Sequence, residues 1–343
     1  PQETPAVVGG PETWAVAAAA SSHTCAMTQD DRLWCWGSNA DGAIGIGSVA
    51  KTPQTVPIRV GTDAWDDVAM QESICGRRTN GSLWCWGLNT TGELGNGTRS
   101  PTDTPVEVLG GSTWIDVDLN VYRTCGVRDD ATLWCWGFGD LVGLGNGSTD
   151  NSNVPVQLDG VGWSSISAGH AYHTCVVRAD GTLWCWGYNS NGELGTGTST
   201  DGSLSPVQAL GSEWAQVRAG NEHTCGLEQD GTLWCWGRNF TGQLGTGNFD
   251  DSIVPVQVGA ASEWRSLERV QQGGHAIRQD GTLWGWGLNG SGQLGDGTTE
   301  TQSAPVQIGT ADNWAQVDAD GHGCGVRENG TLWCWGSNAS GQL

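Results

Sequence analysis

The chain is poor in lysine: its 343 residues contain a single one, Lys51, and the formal net charge is −22. Nucleic-acid binding depends largely on Lys and Arg side chains that neutralise phosphates, so this composition argues against a nucleic-acid partner. An acidic surface also disfavours anionic membranes. The negative charge favours solubility, and it is compatible with a cation or a basic protein as the partner.

Long apolar runs and helical patterns are also absent. No stretch approaches the roughly 20 apolar residues of a membrane-spanning helix, so no membrane insertion is expected. The most apolar stretch near the start, residues 15–20, is too short for a signal peptide and lacks basic residues before it. Because the chain begins inside a repeat, we expect a mature or trimmed form. No 11-residue window carries a helical apolar stripe.

A short tryptophan-rich segment recurs instead. Leu-Trp-Cys-Trp-Gly occurs six times, and a seventh copy at residues 283–287 has glycine in place of cysteine. The copies are 50 residues apart, with a last spacing of 49, which indicates a repeat architecture. Three tryptophans in each of seven repeats account for all 21, so we expect a single domain over residues 1–343.

Each repeat fits four short strands. In the fifth repeat they are predicted at residues 206–208, 214–219, 223–227 and 231–237, where apolar and polar residues alternate between turn signals. Four strands repeated seven times predict an all-β, seven-bladed β-propeller of four-stranded antiparallel blades, with an open solenoid as the alternative. Residues 4–8 resemble the strand that is missing after the last repeat. The N-terminal strand is therefore expected to complete the last blade and close the ring.

The cysteines occur in pairs ten residues apart, and the sixth repeat lacks both, with His275 and Gly285 in their places. A three-residue hairpin loop at 229–231 places Cys225 opposite Cys235, near disulfide range. We predict one disulfide in each of six blades; twelve free buried thiols are the alternative, and zinc is disfavoured because no Cys-x-x-Cys occurs. Disulfides imply an extracellular, periplasmic or cell-surface location. The pairs are Cys25/Cys35, Cys75/Cys85, Cys125/Cys135, Cys175/Cys185, Cys225/Cys235 and Cys324/Cys334.

Three stretches carry a resemblance to a known family: residues 219–225, 230–234 and 236–247, which recur throughout the chain. Together they resemble the regulator of chromosome condensation repeat family. The resemblance implies a seven-bladed propeller closed by its terminal strands. The Trp-Cys-Trp core and the cysteine pairs look like a bacterial extracellular branch.

The functions in that family diverge, and fold does not choose among them. They include an exchange factor for a small nuclear GTPase that docks on nucleosomes, an ultraviolet-B photoreceptor and secreted inhibitors of β-lactamases. The acidic composition and the predicted disulfides argue against the nuclear role. Since every tryptophan occupies a repeat position, packing accounts for them without a photoreceptor role.

Other recurrent polar residues have structural interpretations. Histidine recurs two residues before a cysteine at His23, His173, His223 and His322, as expected of a structural hydrogen bond, and no catalytic triad is indicated. The glycine-rich segment, as in residues 292–297, predicts a turn and not a phosphate loop, because no lysine follows. Acidic residues at the loop tips make calcium a candidate ligand, because Ca²⁺ prefers carboxylate oxygens. No other metal and no cofactor are expected.

The repeats differ most in their loops. Loops before the cysteine-bearing hairpins vary, and they should share one face with the long loops after Gly-x-Gly, while the short Asp-Gly hairpins occupy the other face. Variable loops on a rigid scaffold commonly carry binding sites, and Tyr and Arg are favoured interface residues. The predicted binding residues are Tyr122, Arg123, His170, Tyr172 and Glu222.

These features favour a non-catalytic binding module, secreted or surface-exposed, that recognises a protein or glycan through one loop-rich face. Two alternatives stay open. One is a secreted hydrolase or lyase with a pocket at the central channel, which converging carboxylates or histidines would favour. The other is a structural module of a larger surface protein or filament.

Overall fold

The protein is a ring of short antiparallel sheets. A computed structural model describes residues 1–10, 12–47, 52–140, 143–169, 173–260, 262–268 and 271–343. Within these residues lie 28 β-strands and a single 3₁₀ turn at Ala40–Gly42. No helix in the described part of the chain is long and apolar enough to cross a membrane.

The strands are numbered in chain order, beginning with β1 (Gln2–Val7). Blade 1 contains β2 (Trp14–Ala19), β3 (His23–Thr28), β4 (Leu33–Gly37) and β5 (Gln54–Arg59). Blade 2 contains β6 (Trp65–Met70), β7 (Ser73–Arg78), β8 (Leu83–Gly87) and β9 (Thr102–Glu107). Blade 3 contains β10 (Trp114–Leu119), β11 (Arg123–Arg128), β12 (Leu133–Gly137) and β13 (Ser152–Gln157).

Blade 4 contains β14 (Trp163–Ala168), β15 (His173–Arg178), β16 (Leu183–Gly187) and β17 (Ser203–Gln208). Blade 5 contains β18 (Trp214–Ala219), β19 (His223–Glu228), β20 (Leu233–Gly237) and β21 (Ser252–Gln257). Blade 6 contains β22 (Trp264–Leu267), β23 (Gly273–Arg278), β24 (Leu283–Gly287) and β25 (Gln302–Gln307). Blade 7 contains β26 (Trp314–Ala319), β27 (His322–Arg327) and β28 (Leu332–Gly336).

The N-terminal strand closes the ring. Strand β1 pairs antiparallel with β28, so the seventh sheet has the order β1-β28-β27-β26, while each of the other six sheets is built from consecutive strands. The first strand of each blade is innermost and faces the central channel. The predicted seven-bladed propeller of four-stranded antiparallel blades is confirmed, including its closure.

The outermost strands begin earlier than the sequence predicts. The strand predicted at 206–208 as the start of the fifth repeat is the end of β17, the outermost strand of blade 4. Strand β17 starts at Ser203, three residues before Pro206. Proline is tolerated inside this strand because its missing N–H would have pointed outward from the edge of the sheet. The register of β16 and β17 also shifts between Cys185 and Gly187.

Each cysteine-bearing hairpin is closed by a disulfide. Glu228 N–H donates to the Thr232 carbonyl at 3.0 Å, as the predicted three-residue loop requires, and Cys225 lies directly opposite Cys235. The Cα–Cα distance is 4.1 Å in all six bridges. The bridges join Cys25 to Cys35, Cys75 to Cys85, Cys125 to Cys135, Cys175 to Cys185, Cys225 to Cys235 and Cys324 to Cys334, all buried.

The disulfide of one blade packs against the tryptophans of the next. Alternation along the Leu-Trp-Cys-Trp-Gly strand puts leucine and cysteine on one sheet face and both tryptophans on the other. In the cluster between blades 2 and 3, the Cys75–Cys85 bridge meets Trp114 and Trp136. At the blade 6–7 interface no bridge exists, and His275 instead contacts Trp335, with ring centroids 6.0 Å apart. Each interface therefore buries large aromatic area, the main stabilising contribution between blades.

The glycine-rich segment links each blade to its neighbour. Trp136 Nε1 of blade 3 donates to the Glu93 carbonyl of blade 2 at 2.8 Å. Gly95, with φ of 63°, lies so close that a Cβ would be 2.7 Å from Trp136 Nε1, so a side chain there would collide with the indole. The same contact closes the ring, because Trp36 Nε1 donates to the Gln342 carbonyl at 3.0 Å.

Candidate functional site

Two kinds of loop meet on one face of the ring, called here the loop face. They are the short loops between the first and second strands of each blade and the long loops between the third and fourth. Backbone hydrogen bonds join them: Phe138 N–H donates to the Tyr122 carbonyl at 2.8 Å, and Arg238 N–H donates to the Glu222 carbonyl at 2.8 Å. The Asp-Gly hairpins lie on the opposite face, called here the hairpin face. The expected separation of loops and hairpins is therefore present.

Phenylalanine and tyrosine are concentrated on the loop face. The chain contains three residues of each type, and the five that the structure describes all lie in loops of blades 3, 4 and 5 on this face. Phe240 is 59% exposed, Phe249 55% and Tyr188 37%. Tyr122 and Phe138 are half-buried against each other, with ring centroids 6.0 Å apart. Exposed aromatic side chains grouped in this way are typical of a recognition surface.

A charged pair lies beside these aromatics in blade 5. The Arg238 guanidinium forms an ion pair with Glu222 at 2.6 Å, and its Cζ lies 4.2 Å from the centroid of Phe240. Both charged side chains are partly exposed, 38% and 28% respectively. Arg238 thus links Glu222, one of the predicted binding residues, to the most exposed phenylalanine.

Arg123, which the sequence predicts as a binding residue at the surface, lies in the interior of blade 3. Its side chain is buried, with 1% exposure, and its Nη1 donates to the Gly143 carbonyl of its own blade at 2.6 Å. Burial lowers the pKa of the guanidinium to about 10. Arg123 occupies the place that histidine takes in other blades, and it positions the long loop from inside. His170 and Tyr172 lie outside the described residues.

Sequence reasoning missed Phe138, Tyr188, Phe240 and Phe249. The signal that could have found them is the distribution of residue types: tyrosine and phenylalanine occur only between residues 122 and 249. Tryptophan, in contrast, is spread evenly over all seven repeats and is explained by packing.

Acidic side chains also converge in the central channel. It has a volume of about 270 Å³ and is lined by the first strands of the blades. Its charged lining consists of Asp67, Asp116, Asp118, Arg218, Glu268 and Asp318.

Several of these carboxylates satisfy backbone groups of the neighbouring blade. Asp118 Oδ2 accepts from Ala168 N–H at 2.9 Å, and Asp116 Oδ2 accepts from Ile166 N–H at 2.8 Å. The innermost strands need such partners because their free edges would otherwise leave N–H groups unpaired. Burial raises the pKa of Asp116 to about 6. These contacts give the channel carboxylates a structural role in joining blades, which weakens the case for a hydrolase or lyase.

Two of the four recurrent histidines join blades through hydrogen bonds of their side chains. His322 Nε2 lies 2.6 Å from Thr24 Oγ1 of the next blade, and His173 Nε2 lies 2.9 Å from Thr224 Oγ1. Burial lowers the pKa of His173 to about 3 and that of His223 to about 4, so these rings are neutral at pH 7. The expected structural hydrogen-bonding role agrees with this geometry.

The acidic loop tips use some of their carboxylates internally. Asp251 Oδ1 accepts from Asn239 N–H at 2.6 Å, and Asp296 Oδ1 accepts from Asn289 Nδ2 at 3.0 Å. The described residues contain no group of three or more His, Cys, Asp or Glu side chains able to hold a metal ion. Calcium binding at these tips stays a prediction.

Solved structures with the same fold share little sequence with this chain. Human WBSCR16 is 18% identical, with a TM-score of 0.84 over 98% of this chain and 90% of its own. Yeast Prp20, solved bound to Kap60, is 18% identical, with a TM-score of 0.80 over 96% and 82%. A second structure of Prp20p from Saccharomyces cerevisiae, described with its binding properties to Gsp1p and histones, is 19% identical, with a TM-score of 0.80 over 96% and 84%.

Curated protein sequences give no significant match to the chain. Two family models do match, both described as the regulator of chromosome condensation (RCC1) repeat. One matches residues 17–43, 163–193, 214–243 and 320–342. The other matches residues 80–119, 130–177, 180–227, 230–272 and 280–324, which is more than half of the chain. The chain therefore belongs to the regulator of chromosome condensation repeat family.

Proposed function

We propose that the protein is a non-catalytic binding module that recognises a partner protein through the loop face of blades 3–5. The observation that carries the proposal is the grouping of Tyr188, Phe240 and Phe249 as exposed side chains on that face. Exposed aromatic rings bury large area on binding at a small cost in conformational entropy, and interface hot spots are enriched in such residues.

Protein is favoured over glycan as the ligand class by the surrounding chemistry. Two of the three exposed rings are phenylalanines, which offer no hydrogen bond to a sugar hydroxyl. The Glu222–Arg238 pair beside Phe240 offers charges of both signs, as at the polar rim of a protein interface. Yeast Prp20, a propeller of this fold, was solved bound to Kap60, so a protein ligand suits the scaffold.

A photo-crosslinking experiment tests the proposed face. The variant with a benzophenone amino acid in place of Phe240 is mixed with an extract of the source organism and irradiated. It should form one discrete covalent adduct with a partner protein. The same group at Val161, which is 66% exposed on a hairpin-face link, is the matched control and should give none. Replacing Tyr188 and Phe249 by alanine should abolish the adduct formed at position 240.

Equal adducts from positions 240 and 161 would contradict the proposal. So would an adduct that persists at the same yield in the alanine variant. Saturable binding to a glycan array, lost in that variant, would show that the face recognises a carbohydrate instead.

We further propose a secreted or surface-exposed location, which six buried disulfides support because such bonds persist in oxidising compartments. Protein purified without reductant, unfolded and treated with an alkylating reagent should keep its intact mass. Prior reduction is the control and should add twelve alkyl groups, one for each cysteine. Twelve alkylated thiols without prior reduction would refute the proposed location.

A further inference from the structure

A repeated arginine–tryptophan stack on the hairpin side is present in five blades and absent from blades 1 and 5. In five blades the last residue of the second strand is an arginine whose guanidinium lies between two indoles. In blade 3 the Arg128 Cζ lies 3.8 Å from the centroid of Trp134 and 4.8 Å from that of Trp114. The other four arginines are Arg78, Arg178, Arg278 and Arg327.

The indole faces are the main contact of four of these guanidinium groups, and the fifth, Arg78, also forms an ion pair with Asp63 at 2.6 Å. The Nε atom of each of the five arginines is buried and has no hydrogen-bond acceptor among the described residues. A guanidinium over the face of tryptophan is a favourable cation–π geometry. The fold therefore builds, in each of these blades, a slot whose size and chemistry suit a guanidinium group.

Blade 5 keeps both indoles and lacks the arginine. Glu228 pairs with Trp214 across the sheet, as Arg128 pairs with Trp114 in blade 3. An opening of about 200 Å³ is present here, lined by Trp214, Trp234 and Glu228 with an apolar rim. The rim residues are Leu210, Gly211, Val254 and Pro255.

The Glu228 carboxylate is available for a ligand. It is half-buried and accepts a hydrogen bond from Thr232 Oγ1 at 3.1 Å. No arginine or lysine of the described residues forms an ion pair with it. Blade 1 provides no similar site, since its equivalent residue, Thr28, is buried and uncharged.

We propose that this blade 5 slot binds an arginine side chain supplied by a partner protein or peptide. The guanidinium would stack on the half-buried indole of Trp234, because Trp214, at 1% exposure, is already covered. The carboxylate of Glu228 would accept a charge-assisted hydrogen bond from it. The internal stacks show that the indole equivalent to Trp234 packs well against a guanidinium in other blades, as Trp134 does against Arg128, and the reversal of charge at Glu228 supplies complementarity to a cation from outside. This site is separate from the loop face and does not depend on its function.

The test uses the intact protein and N-acetyl-arginine amide as the probe, with the side-chain N–H signals of Trp214 and Trp234 followed by ¹⁵N NMR. The probe should shift these two signals saturably. N-acetyl-citrulline amide, neutral and of the same shape, should bind at least about tenfold more weakly, as the loss of a charged partner predicts. Glu228→Gln should weaken binding of the arginine probe by a similar factor.

Glu228→Arg is the sharpest variant, because it restores the residue found in five other blades. It should fill the slot from within, raise the thermal unfolding midpoint and abolish the response to the probe. Asp230→Arg, a nearby exposed position with the same change in charge, is the matched control and should leave the two indole signals responsive.

Three outcomes would overturn the proposal. One is an unchanged response in Glu228→Arg, and another is equal binding of the citrulline analogue. The third is a loss of response in Asp230→Arg equal to that in Glu228→Arg, which would indicate attraction to the acidic surface in general.

Discussion

Reduction of the six disulfides should unfold the propeller under conditions in which the oxidised protein is stable. Each bridge joins two cysteines ten positions apart, and for a loop of this length the chain-entropy model gives about 3 kcal/mol. Six such contributions exceed the net stability of an ordinary domain, about 5–15 kcal/mol. Because the cysteines are buried, reductant must be added with mild denaturant or at raised temperature. Tryptophan fluorescence against temperature, with and without prior reduction, measures the effect.

Single-blade variants separate the disulfide contribution from general sensitivity to reductant. The double variant Cys125→Ala and Cys135→Ala removes only the bridge of blade 3. It should lower the free energy of unfolding of the protein by about 3 kcal/mol. Conversely, His275→Cys with Gly285→Cys should form a seventh bridge, since residues 275 and 285 lie opposite each other in the same register. A fully reduced protein with an unchanged unfolding midpoint would show that interblade packing alone holds the ring.

Acidification from pH 7 to pH 5 should destabilise the oxidised protein by several kcal/mol. Burial lowers the pKa of His23, His223 and His275 to about 4, and that of His173 and His322 to about 3. An unfolded histidine titrates near pH 6.5, so the unfolded chain takes up protons first. The stability that these neutral rings contribute is present above pH 6.5 and is lost as the pH falls towards their folded pKa values. At pH 5 the loss is about 2 kcal/mol for each histidine.

A buried carboxyl group in the channel acts in the opposite direction but is outweighed. The pKa of Asp116 is raised to about 6, so its contribution grows as the pH falls through 6, by about 1 kcal/mol at pH 5. The hairpin aspartates do not act in this window, because hydrogen bonds from threonine hydroxyls lower their pKa values, as at Asp130. Burial also raises the pKa values of Asp67, Glu72, Glu193 and Glu268, which act in the same direction as Asp116, so the net loss of stability is smaller than the sum over the five histidines.

Chemical denaturation at pH 7 and pH 5 measures this loss. His223→Ser introduces the residue that blade 2 has at the equivalent place, Ser73, and removes one titrating group. It should reduce the difference in unfolding free energy between the two pH values by about 2 kcal/mol. Asp130→Asn, which removes a group that titrates below this window, is the control and should leave the difference unchanged. A pH difference equal in all three proteins would exclude His223 as a contributor to it.

The sequence by itself determined the ring, the register of the cysteine-bearing hairpins and the disulfides. These features are local: a three-residue hairpin loop fixes which residues of β19 and β20 face each other, and Cys225 then has to meet Cys235. The repeat period fixes the number of blades. The complementary ends of the chain even predict the pairing of β1 with β28.

Tertiary structure alone decided which side chains are available for binding. Arg123 and Glu222 both precede or begin a second strand, yet Arg123 is buried and Glu222 is partly exposed. The role of Asp118 depends on Ala168 in the next blade, and the slot beside Glu228 depends on two indoles that approach it from neighbouring strands. Such contacts join residues of different strands or blades, 50 positions apart for Asp118 and Ala168, and a pattern within one repeat contains no information about them. What the repeat pattern predicts is the scaffold, because its contacts are local, whereas the binding surfaces arise from packing between strands and blades.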